Sequence, residues 1–122
     1  MSAGKDVLVV DDSVVMKDLI SDMLGRDGFN VVGHARDGEE AVELYEELGP
    51  DLVTMDIVMP KVHGIASLKM ILGRNPQARI VVVSALNQQA LVMEALDAGA
   101  RNFVVKPFTE KELLEAVRKS LG

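Results

Sequence analysis

The chain has 122 residues, enough for one domain that buries about two-thirds of the surface its unfolded form exposes. With 48% apolar residues, 26% charged residues and a mean hydropathy of +0.19, the composition is globular, which excludes disordered, collagenous and coiled-coil classes. Thirteen basic against nineteen acidic residues give a net charge of -6, which argues against non-specific nucleic-acid or anionic-membrane binding, and the absence of cysteine excludes disulfide scaffolds and thiolate chemistry.

In chain order, Val7-Leu8-Val9-Val10 opens the pattern as a continuous apolar run, the mark of a strand buried on both faces. Helical spacing follows at Val15, Met16, Leu19, Ile20, Met23 and Leu24, and Gly28 stops that helix. Asn30 to Arg36 reads as a weaker strand, because Gly33 and His34 interrupt its apolar character. Asp37 with Glu40 matches a capping box for a helix carrying Ala41, Val42, Tyr45 and Leu48, ended by Gly49 and Pro50. The second buried run, Leu52-Val53-Thr54-Met55, leads to a helix with Leu68, Ile71 and Leu72 that stops before Pro76. The third, Ile80 to Val83, leads to a helix with Leu91, Ala95 and Leu96, closed at Gly99. Phe103-Val104-Val105 is the last strand, and Thr109 with Glu112 caps a final helix carrying Leu113, Leu114, Val117 and Leu121. Five βα units of uneven length predict an open parallel sheet with helices on both faces and right-handed crossovers. The longest apolar stretches are far shorter than the ~20 residues a bilayer span requires, and no signal-peptide pattern opens the chain, so neither membrane insertion nor secretion is expected.

In such sheets ligands bind beyond the carboxyl ends of the strands, where strand order reverses. The first strand ends in Asp11-Asp12, the third in Asp56, the fourth in Ser84 and the last in Lys106 followed by Pro107. Three carboxylates, a hydroxyl and an ammonium therefore converge on one edge. Hard oxygen ligands without cysteine or suitably spaced histidine select Mg²⁺, with Mn²⁺ as the alternative. Singly, each residue has a plainer reading: Asp12 as a helix cap, Asp56 as a turn residue before Pro60, Lys106 as a solvated strand end. The joint placement at four strand ends is what points to a site. His34 and His63 lack partner ligands and read as strand and loop residues, while Met16, Met23 and Met70 read as core filler.

Together, Val9-Val10-Asp11-Asp12-Ser13, Met55-Asp56 with Met59-Pro60 and Gly64, Ser84-Ala85, Ala98-Gly99-Ala100 and Lys106-Pro107-Phe108 resemble the receiver domain of two-component response regulators, from about Lys5 to Leu121. Within that family the chain is most similar to stand-alone chemotaxis regulators, to which Ser84-Ala85-Leu86-Asn87-Gln88-Gln89-Ala90 adds. The resemblance implies a doubly wound (βα)5, flavodoxin-like α/β fold with strand order 2-1-3-4-5, occupying residues 1–122 as a single receiver domain with no effector domain. It implies that Asp56 is the phosphoacceptor, that Asp12 ligates Mg²⁺ directly, Asp11 through water and the backbone carbonyl of Val58 as a third protein ligand, and that Ser84 and Lys106 bind phosphoryl oxygens. It further implies a switch in which Ser84 moves toward the phosphoryl group and Phe103 turns inward, and a cis bond at Pro107.

Two departures stand out. His63 replaces the Asp or Asn usual before the loop glycine, and Val58 and Leu86 are apolar where polar residues often position a hydrolytic water, so slow loss of the phosphoryl group is expected. The implied function is a cytoplasmic, monomeric switch, not an enzyme beyond its own phosphorylation and dephosphorylation. A chemotaxis-type histidine kinase would load it, and a motor switch or adaptor protein would bind its helix 4, strand 5, helix 5 face, with no nucleic acid or membrane partner. A phosphorelay intermediate passing the phosphoryl group to another histidine domain is the alternative. A small aspartate-nucleophile phosphatase fits less well, since that chemistry resembles Asp-x-Asp rather than adjacent aspartates, and a flavin carrier lacks the aromatic residues and phosphate loops it needs.

Overall fold

The continuous apolar runs form the interior of a parallel sheet in a computed structural model that describes residues 4–59 and 64–122. Strands β1 (Asp6–Val10), β2 (Asn30–Ala35), β3 (Leu52–Asp56), β4 (Ile80–Ser84) and β5 (Asn102–Val105) alternate with α1 (Val14–Arg26), α2 (Gly38–Leu48), α3 (Gly64–Arg74), α4 (Gln89–Ala98) and α5 (Glu110–Leu121). The sheet order is β2-β1-β3-β4-β5, all parallel, so the winding direction reverses between β1 and β3. Strands β3 and β4 are buried along their whole length, whereas the edge strand β2 alternates with solvent, which explains its weaker sequence signal.

Each face carries its own core. Leu8, Val10, Val53, Met55, Ile80 and Val82 pack under α2, α3 and α4, while Val7, Val9, Leu52, Val81 and Val83 pack under α1 and α5. Burying a Val, Leu or Ile side chain fully is worth about 1.5–3 kcal/mol, and strands sandwiched between helices gain this on both faces. Helix ends follow the punctuation: Gly28, Gly49 and Gly99 all take positive φ, and Thr109 with Glu112 forms a complete capping box. At Asp37 the side chain caps Glu40 N–H, and the Glu40 carboxylate accepts from the N–H of Arg36.

Three sequence expectations need correction. Val15 and Leu19 share the helical apolar spacing of α1 yet are exposed, because that stripe is wider than the face α1 presents to the sheet. Met70 is exposed on α3 rather than core filler, and Phe103 stands out of the core at 41% exposure despite its apolar run. Met23 is buried and Met16 half-buried, as core filler should be, and His34 lies in β2 with Nε2 2.8 Å from Ser21 Oγ. Pro60 and His63 lie outside the described residues. Among the described residues no helix is long and apolar enough to cross a membrane.

Candidate functional site

The reversal of winding separates the loops that follow β1 and β3 and leaves their ends side by side. Val10 pairs with Met55, so Asp11 and Asp56 follow as neighbours at the end of the sheet. Asp56 pairs with Val83, and Lys106 N–H donates to the Ser84 carbonyl over 2.7 Å, which brings Ser84 and Lys106 to the same edge. The Lys106-Pro107 bond is cis.

One carboxylate oxygen from each of Asp11, Asp12 and Asp56 lies within 4.8 Å of the others. Asp11 is 1% exposed and Asp56 6%, while Asp12 is open to solvent. Lys106 Nζ reaches in from β5, 3.2 Å from Asp11 Oδ2 and 3.5 Å from Asp56 Oδ2. Backbone geometry fixes the remaining oxygens: Asp11 Oδ1 accepts from Ser13 N–H over 2.9 Å, and Asp56 Oδ1 from Val58 N–H over 3.1 Å. Asp12 is not the cap of α1; Ser13 is, its hydroxyl accepting from Met16 N–H over 3.2 Å. A serine immediately before an apolar helical run is a capping signal that the sequence reading passed over. The cap being filled by Ser13, Asp12 is left exposed beside two buried carboxylates.

Three carboxylates against one ammonium leave an excess of two negative charges when all are ionised. Two like charges 4.8 Å apart repel by about 3 kcal/mol at an effective dielectric of about 20. Burial is the main reason the Asp56 carboxyl titrates above its ordinary value of 3.8, with Asp11 and Asp12 adding to the rise and the Val58 N–H and Lys106 opposing it. Burial pushes Lys106 down, but Asp56 and Asp11 together outweigh it and hold the ammonium above its ordinary 10.5. Lys106 is therefore a fixed cation at neutral pH.

A hard divalent cation fits this donor set, since it would supply the missing positive charge to oxygen ligands, one of them open to water. A second feature leaves room for a hydrogen-bond acceptor close by. Ser84 is 1% exposed and its Oγ has no hydrogen-bond partner among the described residues, a state that costs about 1–3 kcal/mol unless an incoming acceptor relieves it. Thr54 Oγ1, one side-chain step below Asp56 on β3, is likewise buried without a partner, and nothing in the sequence marked it. Val58 and Leu86 border the site at 40% and 72% exposure, so they line its rim rather than lie folded beneath it. Gly64 opens α3 so close to the end of β3 that a Cβ there would meet the Asp56 carbonyl oxygen at 2.5 Å, a reason for glycine that its presence in a motif did not reveal.

The response regulator receiver domain profile matches residues 7–118. A chemotaxis protein CheY of Thermotoga maritima is 49% identical over 95% of this chain and 97% of its own length, and one of Bacillus subtilis is 50% identical over the same shares. Among solved structures, a complex of CheX with CheY, beryllium trifluoride and magnesium from Borrelia burgdorferi superposes with a TM-score of 0.93, at 38% identity, covering 98% of this chain and 91% of that one. A match of this length, to relatives this similar, makes the chain a member of the response regulator receiver domain family.

Proposed function

We propose that the chain is a phosphorylation-dependent switch that takes a phosphoryl group onto Asp56 and passes the signal on by binding a protein partner. The observation that carries this reading is the pairing of an acidic cluster, Asp11, Asp12 and Asp56, with one half-buried ammonium and one unpartnered buried hydroxyl at the same strand ends. An Asp56 carboxylate oxygen attacks the phosphorus of a phosphohistidine on a chemotaxis-type histidine kinase. The P–N bond breaks and its electron pair stays on the imidazole. Asp11, Asp12, Asp56 and the Val58 carbonyl are the residues that would hold Mg²⁺, or Mn²⁺, which when bound neutralises charge between acceptor and phosphoryl oxygens.

Lys106 pairs with a second phosphoryl oxygen, its charge secured by the neighbouring carboxylates. Ser84 donates its free hydroxyl to a third. Phosphorylation changes the Asp56 charge from -1 to about -2 and adds acceptors, so it draws Ser84 inward and vacates room for Phe103, which stands exposed on β5 at present. That motion remodels the α4, β5, α5 face, which binds a motor switch or adaptor protein. The protein is not an enzyme with a separate substrate, and it works as a cytoplasmic monomer. Support for chemotaxis comes from the two CheY relatives, and support for phosphoryl and magnesium binding from the beryllium trifluoride and magnesium in the Borrelia complex.

The test is intact mass after incubation with acetyl phosphate. A gain of ~80 Da that requires Mg²⁺ and disappears in Asp56→Asn is expected. An adduct that persists in Asp56→Asn, or none in a folded, Mg²⁺-saturated protein, refutes the assignment.

A further inference from the structure

Ser84 has a second neighbour besides the acidic cluster. Ile80 and Val82 face the α3 and α4 side of the sheet, and Ser84 is next in that alternation. On β5, Phe103 pairs with Val82 and Val105 with Ser84, so both stand over the same face. With α4 alongside, these residues enclose a cavity of about 410 Å³. Apart from the exposed Gln89 its walls are apolar, Val92, Met93, Phe103 and Val105 among them, and Ser84 is the buried polar residue. Met93 and Phe103 are 57% and 41% exposed, which places the mouth of the cavity at the surface.

Small-molecule sites are apolar hollows of roughly 300–1,000 Å³ with a few polar groups that fix orientation. This cavity has that size and that balance, and its one deep polar group is a hydroxyl with no partner. Mostly apolar walls with no charged side chain reject an ion, and a single buried hydroxyl suits a ligand with a single hydrogen-bonding group. We infer that the cavity between α4 and β5 binds a small aromatic alcohol, its ring against Val92, Met93 and Phe103 and its hydroxyl on Ser84 Oγ.

The site stands on the cavity and its unpaired hydroxyl alone. Its consequence rests on the proposed role of Asp56: a phosphoryl group claims the Ser84 hydroxyl and an inward Phe103 claims the space, so ligand and phosphoryl group exclude each other. Coupling of this kind is reciprocal, and the aromatic alcohol holds the switch off.

The seven methionines give a direct readout, since Met93 lines the cavity and Met70 borders a different hollow, between α2 and α3. Phenol titrated into the full chain, with ¹³C-labelled methionine methyl groups followed by NMR, is expected to shift Met93 saturably and leave Met70 unmoved. Ser84→Ala weakens phenol roughly three- to tenfold, the loss of one neutral hydrogen bond, and leaves toluene unchanged. A Met93 signal that does not move up to the solubility limit, or phenol binding indifferent to Ser84→Ala, overturns the site. In a second arm, beryllium fluoride with Mg²⁺ lowers phenol affinity at least tenfold. An unchanged affinity with the fluoride bound, as seen by ¹⁹F NMR, overturns the coupling; failure of the fluoride to bind counts against Asp56 as acceptor and leaves the first arm standing.

Discussion

Gly64 and Gly73 lie near opposite ends of α3, and replacing each by alanine should move stability in opposite directions. At Gly64 a Cβ would come 2.5 Å from the Asp56 carbonyl oxygen, 2.5 Å from Ile57 Cα and 2.8 Å from Ile57 C, about 0.9 Å inside the 3.4 Å at which ordinary contact begins. All three are backbone atoms at the buried end of the central strand, so no side chain can swing aside. Overpacking of this kind costs typically 1–3 kcal/mol, and rigid neighbours put Gly64→Ala at about 3 kcal/mol. At about 2.1 cal/mol/K of unfolding entropy per residue, that lowers Tm by about 12 °C. Gly73 is exposed with nothing within 4 Å of a Cβ, so Gly73→Ala gains the ordinary helix preference, about 0.5–1 kcal/mol and about 2–4 °C. Thermal unfolding followed by circular dichroism measures both. Because the atoms displaced in Gly64→Ala belong to Asp56, the proposed acceptor, and to Ile57 next to it, the same variant should also lose most of its Mg²⁺-dependent phosphorylation below its melting range. Melting within 1 °C of wild type, or full phosphorylation of a folded Gly64→Ala, refutes the claim that this close approach positions Asp56.

Three further outcomes follow from the charge cluster. Because Asp56 titrates above its ordinary 3.8, the native state holds a proton that the unfolded state has released, so stability falls as pH rises from 3.8 through the raised value. Without metal, Asp56→Asn should thus melt above wild type at pH 7, with the gain shrinking toward zero below pH 3.8; a gain that persists at low pH argues against this origin. Magnesium at about 100 times its dissociation constant should stabilise wild type by about 2.7 kcal/mol, and Asp12→Ala should melt no lower than wild type in its absence yet respond less to it, since Asp12 is exposed and unused by the fold. An equal response in both titrations removes Asp12 from the ligand set. Finally, Val58→Asn with Leu86→Glu should shorten the lifetime of the phosphorylated protein, measured by mass at timed intervals, by giving water polar partners at a rim that now offers none; an unchanged decay refutes the expectation that these side chains slow it.

Much of the fold was legible because buried parallel strands need unbroken apolar runs and helix ends need caps and glycines. Val7 to Val10, Leu52 to Met55 and Ile80 to Val83 all became strands, and Gly28, Gly49 and Gly99 took the positive φ that ends a helix cleanly. The aspartates, Ser84 and Lys106 were also legible, since a residue that ends a buried strand in an open α/β sheet has one edge on which to emerge. Side-chain environment was not. Val15, Leu19, Met70 and Phe103 carry the same apolar signal as their buried neighbours, and only their places, on the outer faces of α1 and α3 or on the edge strand β5, leave them in solvent. At the start of α1, Asp12 and Ser13 both suit the cap, and the position of Ser13 next to the apolar helical run was the signal that favoured it. The unpaired state of the Ser84 and Thr54 hydroxyls, the approach of α3 to Asp56 and the cavity beside Phe103 arise where separate elements meet. Sequence alone determined which chemical groups gather at the end of the sheet, because strand direction is written in local pattern. Tertiary structure decided which of those groups are paired, which are desolvated and which are left free to bind, because those properties depend on distances between elements that no local pattern encodes.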